Sequence, residues 1–65
     1  MEKFPHETQR MFERRKEVFD NALAEGESEA KALVYANVWA NIEFLKAEYD
    51  PQLEHKARQY APSQS

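Results

Sequence analysis

Side chains that could carry acid–base, metal or nucleophilic chemistry are few and scattered in this sequence. His6 and His55 stand far apart, and neither belongs to a spaced pair such as HxxxH, which would put two metal ligands on one helix face. None of Ser28, Ser63 and Ser65 belongs to a recognisable nucleophile–base pattern. With one glycine and no cysteine, the sequence has neither a glycine-rich phosphate loop nor a thiolate metal site. It predicts a non-enzymatic protein without catalytic residues, cofactor or metal.

Contact with phosphate or another anion is a second chemistry that basic side chains could provide. Arg10 and Arg14 share one side of the first helical segment, and with Lys3 they could contact a phosphate or an acidic protein. Glutamates alternate with these basic residues, a pattern typical of a solvated helix face. The formal net charge of −3 argues against duplex binding, which normally needs a net basic surface. A small nucleic-acid-associated regulator that uses the Arg10/Arg14 face is therefore the alternative function.

The most apolar part of the chain, residues 28–49, has helical periodicity, and no part shows strand-like alternation. The apolar arc of this second helix is wider than a lone surface helix needs, because Tyr35 and Trp39 flank an aliphatic stripe. The other side carries small residues such as Ala32 and Ala36, which either face solvent or let a second backbone come close. We expect other segments or another molecule to cover the helix. The stripe consists of Val34, Val38, Ile42, Leu45 and Tyr49.

A first helix is predicted over about residues 6–25. Pro5 stands where proline is tolerated at a helix start, and Glu7 lies where the helix dipole favours negative charge. The only glycine, Gly26, predicts a left-handed C-cap. Ser28 then serves as the N-cap of the second helix, so that the two helices form a hairpin. The apolar face of the first helix runs from Phe12 through Phe19 to Leu23, with Arg15 beside it.

A short third helix is predicted over about residues 51–60. Asp50 provides its N-cap and Pro51 its first position. The second helix should end near Tyr49, because a proline disfavours helical geometry at the residue before it. The fold class is therefore all-α, a helical hairpin plus a short C-terminal helix. The edge that could fold back on the hairpin consists of Leu53, Ala57 and Tyr60.

The chain of 65 residues is predicted to form one small helical domain, residues 1–60, with a disordered tail over 61–65. A core of this size is only marginally sufficient, and without cysteine no disulfide can supplement it. Oligomerisation is the remaining route to more buried apolar area. No apolar run approaches the length that spans a bilayer. We expect a soluble cytoplasmic protein without membrane insertion.

Asn37 and Asn41 are two carboxamides, one turn apart, inside the apolar arc of the second helix. Each needs hydrogen-bond partners, because an unpaired buried amide is costly. They either bond within the protomer, to water, to the first helix or to Arg15, or they bond across a two-fold axis to their own copies. The sequence leaves these alternatives open.

The function predicted from these patterns is protein–protein interaction, with homodimerisation as its preferred form and regulation as a possible role. Another protein is the alternative partner, and an acidic mimic of phage or plasmid type is a third possibility that only size and charge favour. Aromatic and aliphatic anchors dominate such interfaces. The predicted interface consists of Tyr35, Asn37, Val38, Trp39, Asn41, Ile42 and Leu45.

Three segments carry a resemblance to a known family. They are FPH at residues 4–6, FDNA at residues 19–22 and AKALVYANV at residues 30–38. Together they resemble the ChaB-like family of small bacterial proteins, in which a proline-started helix precedes a helix with an alanine- and valine-rich run. Tyr35 stands where that family has tryptophan. The resemblance implies a regulatory role connected with cation transport and no catalytic site.

Overall fold

A computed structural model describes residues 1–63 of the chain; Gln64 and Ser65 lie outside the described part. Within that part there are three helices and no strand: α1 (Gln9–Ala24), α2 (Glu29–Leu45) and α3 (Pro51–Gln59). This confirms the predicted all-α fold of a helical hairpin followed by a short third helix. α2 lies at the centre, since it contacts both α1 and α3.

The N-terminus of α1 lies three residues later than predicted, at Gln9. The Thr8 hydroxyl accepts a hydrogen bond from the Met11 amide at 3.1 Å, which makes Thr8 the N-cap. Pro5 lies in a turn before the helix, where the Glu7 amide donates to the Phe4 carbonyl at 3.0 Å. Glu7 is therefore outside the first helical turn, and its carboxylate is free to point elsewhere.

The other predicted helix starts are confirmed. The Ser28 hydroxyl accepts from the Lys31 amide at 3.2 Å and begins α2. The Asp50 carboxylate accepts from the Gln52 and Leu53 amides, with Pro51 at the first position of α3. These caps satisfy backbone donors that a helix start leaves unpaired.

The C-terminus of α2 differs from the prediction, because the helix ends at Leu45 and not near Tyr49. Lys46 adopts the left-handed conformation, with φ of 57°. The Asn41 carbonyl accepts from the Lys46 amide and, at 3.0 Å, from the Ala47 amide, which closes the helix. The sequence does not reveal this helix end, because the left-handed residue is usually glycine or asparagine and here it is a lysine.

The buried side of α2 coincides only in part with the predicted stripe, of which Val38 and Ile42 are buried. Val34 and Leu45 are 48% and 60% exposed, whereas Ala32 and Ala36 are buried. The small alanines allow a neighbouring helix to approach closely, so they occupy positions that larger side chains would fill elsewhere. Part of the predicted stripe therefore remains on the surface. The buried residues of α2 are Ala32, Ala36, Val38, Trp39, Ala40 and Ile42.

The buried face of α1 is centred on Arg15, Val18 and Ala22. Phe12 and Phe19, which the periodicity placed at the centre, are only half-buried. Arg15 thus lies inside the packed face and not beside it. A basic residue at such a position requires a partner, because an isolated buried charge is strongly unfavourable.

α3 packs back on the hairpin as predicted, with Ala57 and Tyr60 buried and Leu53 packed against the core. Pro62, within the predicted tail of residues 61–65, is buried too. Part of that predicted tail, Gln64 and Ser65, lies outside the described residues.

Replacing Gly26 by alanine should lower the free energy of unfolding by about 1–2 kcal/mol, because a side chain makes the left-handed conformation unfavourable. Gly26 has φ of 99°, and a Cβ there would meet no atom within 4 Å, so the cost is conformational and not steric. Lys46→Gly is the matched control, since it relieves the same conformation and should not destabilise the fold. Urea unfolding followed by circular dichroism measures both. A neutral Gly26→Ala would contradict this reading of the turn.

Candidate functional site

The most highly connected side chain in the described residues is Arg15, which is 1% exposed. Its Nε donates to Glu7 Oε2 at 2.7 Å and its Nη2 donates to Glu7 Oε1 at 2.9 Å, so the two side chains form a bidentate ion pair. Nη1 donates to Asn37 Oδ1 at 2.9 Å, and Nη2 also donates to the Glu2 carbonyl at 2.7 Å. The Phe4 ring lies 4.1 Å from the guanidinium carbon. Arg15 therefore joins the N-terminal segment, α1 and α2.

The Glu7 carboxyl is ionised in this cluster. The hydrogen bonds from the Arg15 guanidinium hold the pKa of Glu7 below its usual range, against the opposing effect of burial. The Phe4 amide, which donates to Glu7 Oε1 at 2.8 Å, acts in the same direction. Because the charge is already balanced by Arg15, this pair is a structural element and not a free acid or base.

Acidification should weaken the fold through Glu7. A carboxyl whose pKa is depressed in the folded state stabilises the fold above its unfolded pKa, about 4.3, and that stabilisation is lost as the pH falls toward the folded value. We therefore expect the urea midpoint to fall below about pH 4.5. In Glu7→Gln the midpoint at neutral pH should be lower and its decrease on acidification smaller. An equal decrease in both proteins would contradict the role of Glu7.

A second polar cluster joins α3 to the loop between α1 and α2. The Tyr60 hydroxyl donates to Glu27 Oε2 at 2.7 Å, and the Lys56 ammonium lies 2.8 Å from the same oxygen. The Lys56 ammonium lowers the pKa of Glu27, and the Glu27 carboxylate raises the pKa of both Lys56 and Tyr60. Each charge has its partner, and the cluster links α3 and Tyr60 to the loop between α1 and α2.

Three residues of the predicted interface, Val38, Trp39 and Ile42, lie in the core of the protomer and are not available to a partner. Trp39 is 3% exposed and meets the Phe44 ring edge-on at a centroid distance of 5.5 Å. Tyr35 is half-buried, with its ring 5.9 Å from that of Tyr60. This is a correction: these side chains are covered within the protomer, where α2 contacts both α1 and α3, and not by a second molecule.

Both asparagines of the predicted interface have partners within the protomer. Asn37 Oδ1 accepts from Arg15, and Asn41 Nδ2 donates to the Tyr49 hydroxyl at 2.8 Å. Within residues 1–63, neither Asn37 Nδ2 nor Asn41 Oδ1 makes a hydrogen bond. In that part of the chain no fully buried side-chain nitrogen or oxygen lacks a hydrogen bond, so these two atoms reach the surface. Each asparagine is thus held on one side and free on the other.

The side of α2 that faces solvent forms one continuous surface, which we call the outer strip. Its apolar members Leu33, Val34 and Leu45 are 40%, 48% and 60% exposed. Large apolar side chains left exposed along one side of a helix are a feature of contact surfaces. Asn37, Asn41 and Leu45 were predicted at an interface, whereas Leu33 and Val34 were not. The outer strip consists of Leu33, Val34, Asn37, Asn41 and Leu45.

An open groove of about 600 Å³ lies beside the N-terminal half of the outer strip. The side chains of Met1, Phe4, Phe19 and Leu33 contribute apolar surface to it, and Asn37 reaches it as well. We call it the apolar groove. The sequence could not indicate it, because its wall is formed by an N-terminal segment whose position depends on Arg15. Its proximity to the outer strip extends the exposed apolar surface of the molecule.

The predicted anion site is not a basic patch. Arg10 and Arg14 line one surface cleft together with Glu13 and Glu17, whose carboxylates offset the positive charge. The Arg14 guanidinium also lies over the Trp39 ring, 5.8 Å from its centroid. Lys3 is exposed on the N-terminal segment. Nucleic-acid contact through Lys3, Arg10 and Arg14 stays a prediction.

The histidines do not come together with other ligands. His6 stacks on the Phe4 ring at a centroid distance of 5.6 Å, and His55 is exposed on α3. Over residues 1–63, no group of three or more histidine, aspartate and glutamate side chains is arranged to hold a metal ion. None of the helices described has both the length and the apolar character of a bilayer-crossing segment.

No protein-family model, no curated protein and no solved structure matches this chain at a significant level. The resemblance to the ChaB-like family therefore stays a prediction. The function proposed below therefore rests on the surface of the molecule and not on homology.

Proposed function

We propose that this is a non-enzymatic protein that acts in the cytoplasm by protein–protein contact, and that the outer strip of α2 is its contact surface. The proposal depends on one observation: the large apolar side chains of Leu33, Val34 and Leu45 remain exposed on one side of α2, although α1 and α3 both pack against this helix. Fully burying such a side chain is worth about 1.5–3 kcal/mol, and burying the part that is still exposed here about half of that. In a symmetric pair both copies contribute their three side chains, which adds to the stability of the complex.

The polar part of the outer strip gives such a contact its orientation. Asn37 and Asn41 lie between the apolar residues and are held by Arg15 and Tyr49, so their free atoms point in defined directions. Preorganised polar groups inside an apolar patch penalise any partner that leaves them unpaired. Self-association is the form of contact that we propose, and regulation is the role it would serve.

Leu45→Lys tests the contact surface. A lysine at the C-terminus of a helix suits the helix dipole, so the fold should be retained while the apolar contact is lost. We expect the wild-type mass in sedimentation equilibrium to rise with concentration in the micromolar range, and Leu45→Lys to weaken association at least tenfold. Gln59→Lys adds the same charge at the end of α3, away from the outer strip, and should associate like wild type. A wild-type protein that stays monomeric, or two variants that behave alike, would refute the proposal.

A further inference from the structure

The two ends of the outer strip differ: one carries an exposed leucine, and the other adjoins the apolar groove. Leu45, the most C-terminal apolar member, is 60% exposed, more than Leu33 or Val34. The apolar groove, at about 600 Å³, lies beside Leu33 at the other end. The two positions are separated by twelve residues of one helix, about 18 Å along its axis. A single protomer cannot bring its own Leu45 into its own groove, because α2 is continuous between them.

Hydrogen-bonding groups along the same strip are also arranged as a complementary pair. A guanidinium has only donors, so Asn37 must present its oxygen to Arg15 and its Nδ2 donor outward. Asn41 gives its Nδ2 to the Tyr49 hydroxyl and presents its Oδ1 acceptor outward. One outward donor and one outward acceptor thus lie one turn apart on the strip.

Both pairs are centred on the same point. The midpoint between Leu33 and Leu45 along α2 is the level of Trp39, and so is the midpoint between Asn37 and Asn41. A two-fold axis perpendicular to α2 at that level would bring Leu45 of one copy to the groove of the other. It would also bring the Asn37 donor to the partner's acceptor. A two-fold interface requires this reciprocity, in which one residue meets a different residue of the second copy and the reverse contact repeats.

We infer that the apolar groove is the binding site for Leu45 of a second copy of this chain, in an antiparallel pairing of the two α2 helices. The inference rests on the proposed function and adds the occupant of the groove and the orientation of the pair. Reciprocal hydrogen bonds from Asn37 Nδ2 to Asn41 Oδ1 then lie on either side of the axis. A parallel pairing would place Leu45 beside Leu45 and leave both grooves empty.

Cysteine cross-linking tests this pairing, since the natural chain has no cysteine. Leu33→Cys and Leu45→Cys variants are oxidised separately and as an equimolar mixture, and the products are identified by mass spectrometry. A disulfide needs Cα atoms less than about 7 Å apart. In the antiparallel pairing only the mixed pair meets this condition, since like residues are offset by about 18 Å. We expect at least ten times more mixed dimer than either self-linked dimer.

Sedimentation of wild type and Leu45→Lys under the same conditions shows whether the antiparallel pairing fails alone or together with the proposed function. Efficient self-linking of each cysteine variant would overturn the antiparallel pairing and leave the contact surface intact. If the wild type dimerises and Leu45→Lys weakens the dimer, but the cysteine variants give no mixed cross-link, the antiparallel pairing is likewise overturned and the contact surface stands. A wild-type protein that is monomeric throughout would overturn both this inference and the proposed function.

Discussion

An Arg15→Ala variant should lose about 3–5 kcal/mol of its free energy of unfolding, because truncating one member of a buried ion pair leaves an uncompensated charge. Arg15 and Glu7 are 1% and 5% exposed, so water cannot replace the missing partner. The variant also frees Asn37 and the Glu2 carbonyl. A chain of this length has a total of about 3–10 kcal/mol, so the loss should leave the protein largely unfolded. Circular dichroism at 222 nm in a urea titration measures it.

Two further variants separate the ion pair from general effects of substitution. Arg10→Ala removes an exposed arginine from the same helix and should change stability by less than about 0.5 kcal/mol. The double variant Arg15→Met with Glu7→Gln removes both charges and should recover much of the stability lost in Arg15→Ala. If Arg15→Ala is no more destabilising than Arg10→Ala, Arg15 is not the structural centre described above.

A Trp39→Ala variant should be destabilised by about 3–5 kcal/mol, because it opens a large cavity in the core. Trp39 packs in the cluster formed by α1, α2 and α3 and meets Phe44 edge-on. This expectation differs sharply from that of an interface tryptophan, whose removal would weaken association and spare the protomer. Urea unfolding at a concentration low enough for a monomer therefore distinguishes the two roles.

Leu45→Ala is the matched control for Trp39→Ala, because it shortens an exposed apolar side chain on the same helix. We expect a stability change within about 0.5 kcal/mol for the protomer. A Trp39→Ala protein with wild-type stability would restore the interpretation of Trp39 as an interface residue. It would also contradict the burial seen here.

The helices and their caps could be predicted because their determinants are local. Gly26, Ser28, Asp50 and Pro51 each act within a few residues of their own position, and each has the predicted role in the structure. The edge of α3 was equally clear, because only a few apolar residues lie on that helix. Local chemistry therefore suffices for the fold class and for most of the element boundaries.

The rotation of α2 could not be predicted, because apolar residues occur almost all round this helix and periodicity has no single direction. The packing against its two neighbours buries Ala32 and Ala36, which a hydrophobicity pattern underweights, and exposes Val34 and Leu45. The resulting error moved the predicted interface onto Trp39.

The Arg15 cluster was missed for a related reason. Glu7 and Arg15 are eight residues apart and belong to different elements, so no helical spacing links them. Their pairing depends on Thr8 beginning the helix and thus leaving Glu7 outside it. Arg15 was one of the hydrogen-bond partners predicted for Asn37, and the structure contains that hydrogen bond.

Residue-resolved NMR over a dilution series tests most directly which side of α2 makes contact. We expect amide shifts of Leu33, Val34 and Leu45, and the side-chain amides of Asn37 and Asn41, to change with concentration between about 10 µM and 1 mM, a range typical of a small interface. The indole N–H of Trp39 should keep its shift throughout. Changes centred on Trp39, or a spectrum that is the same at every concentration, would contradict the outer strip as the surface through which this protein acts.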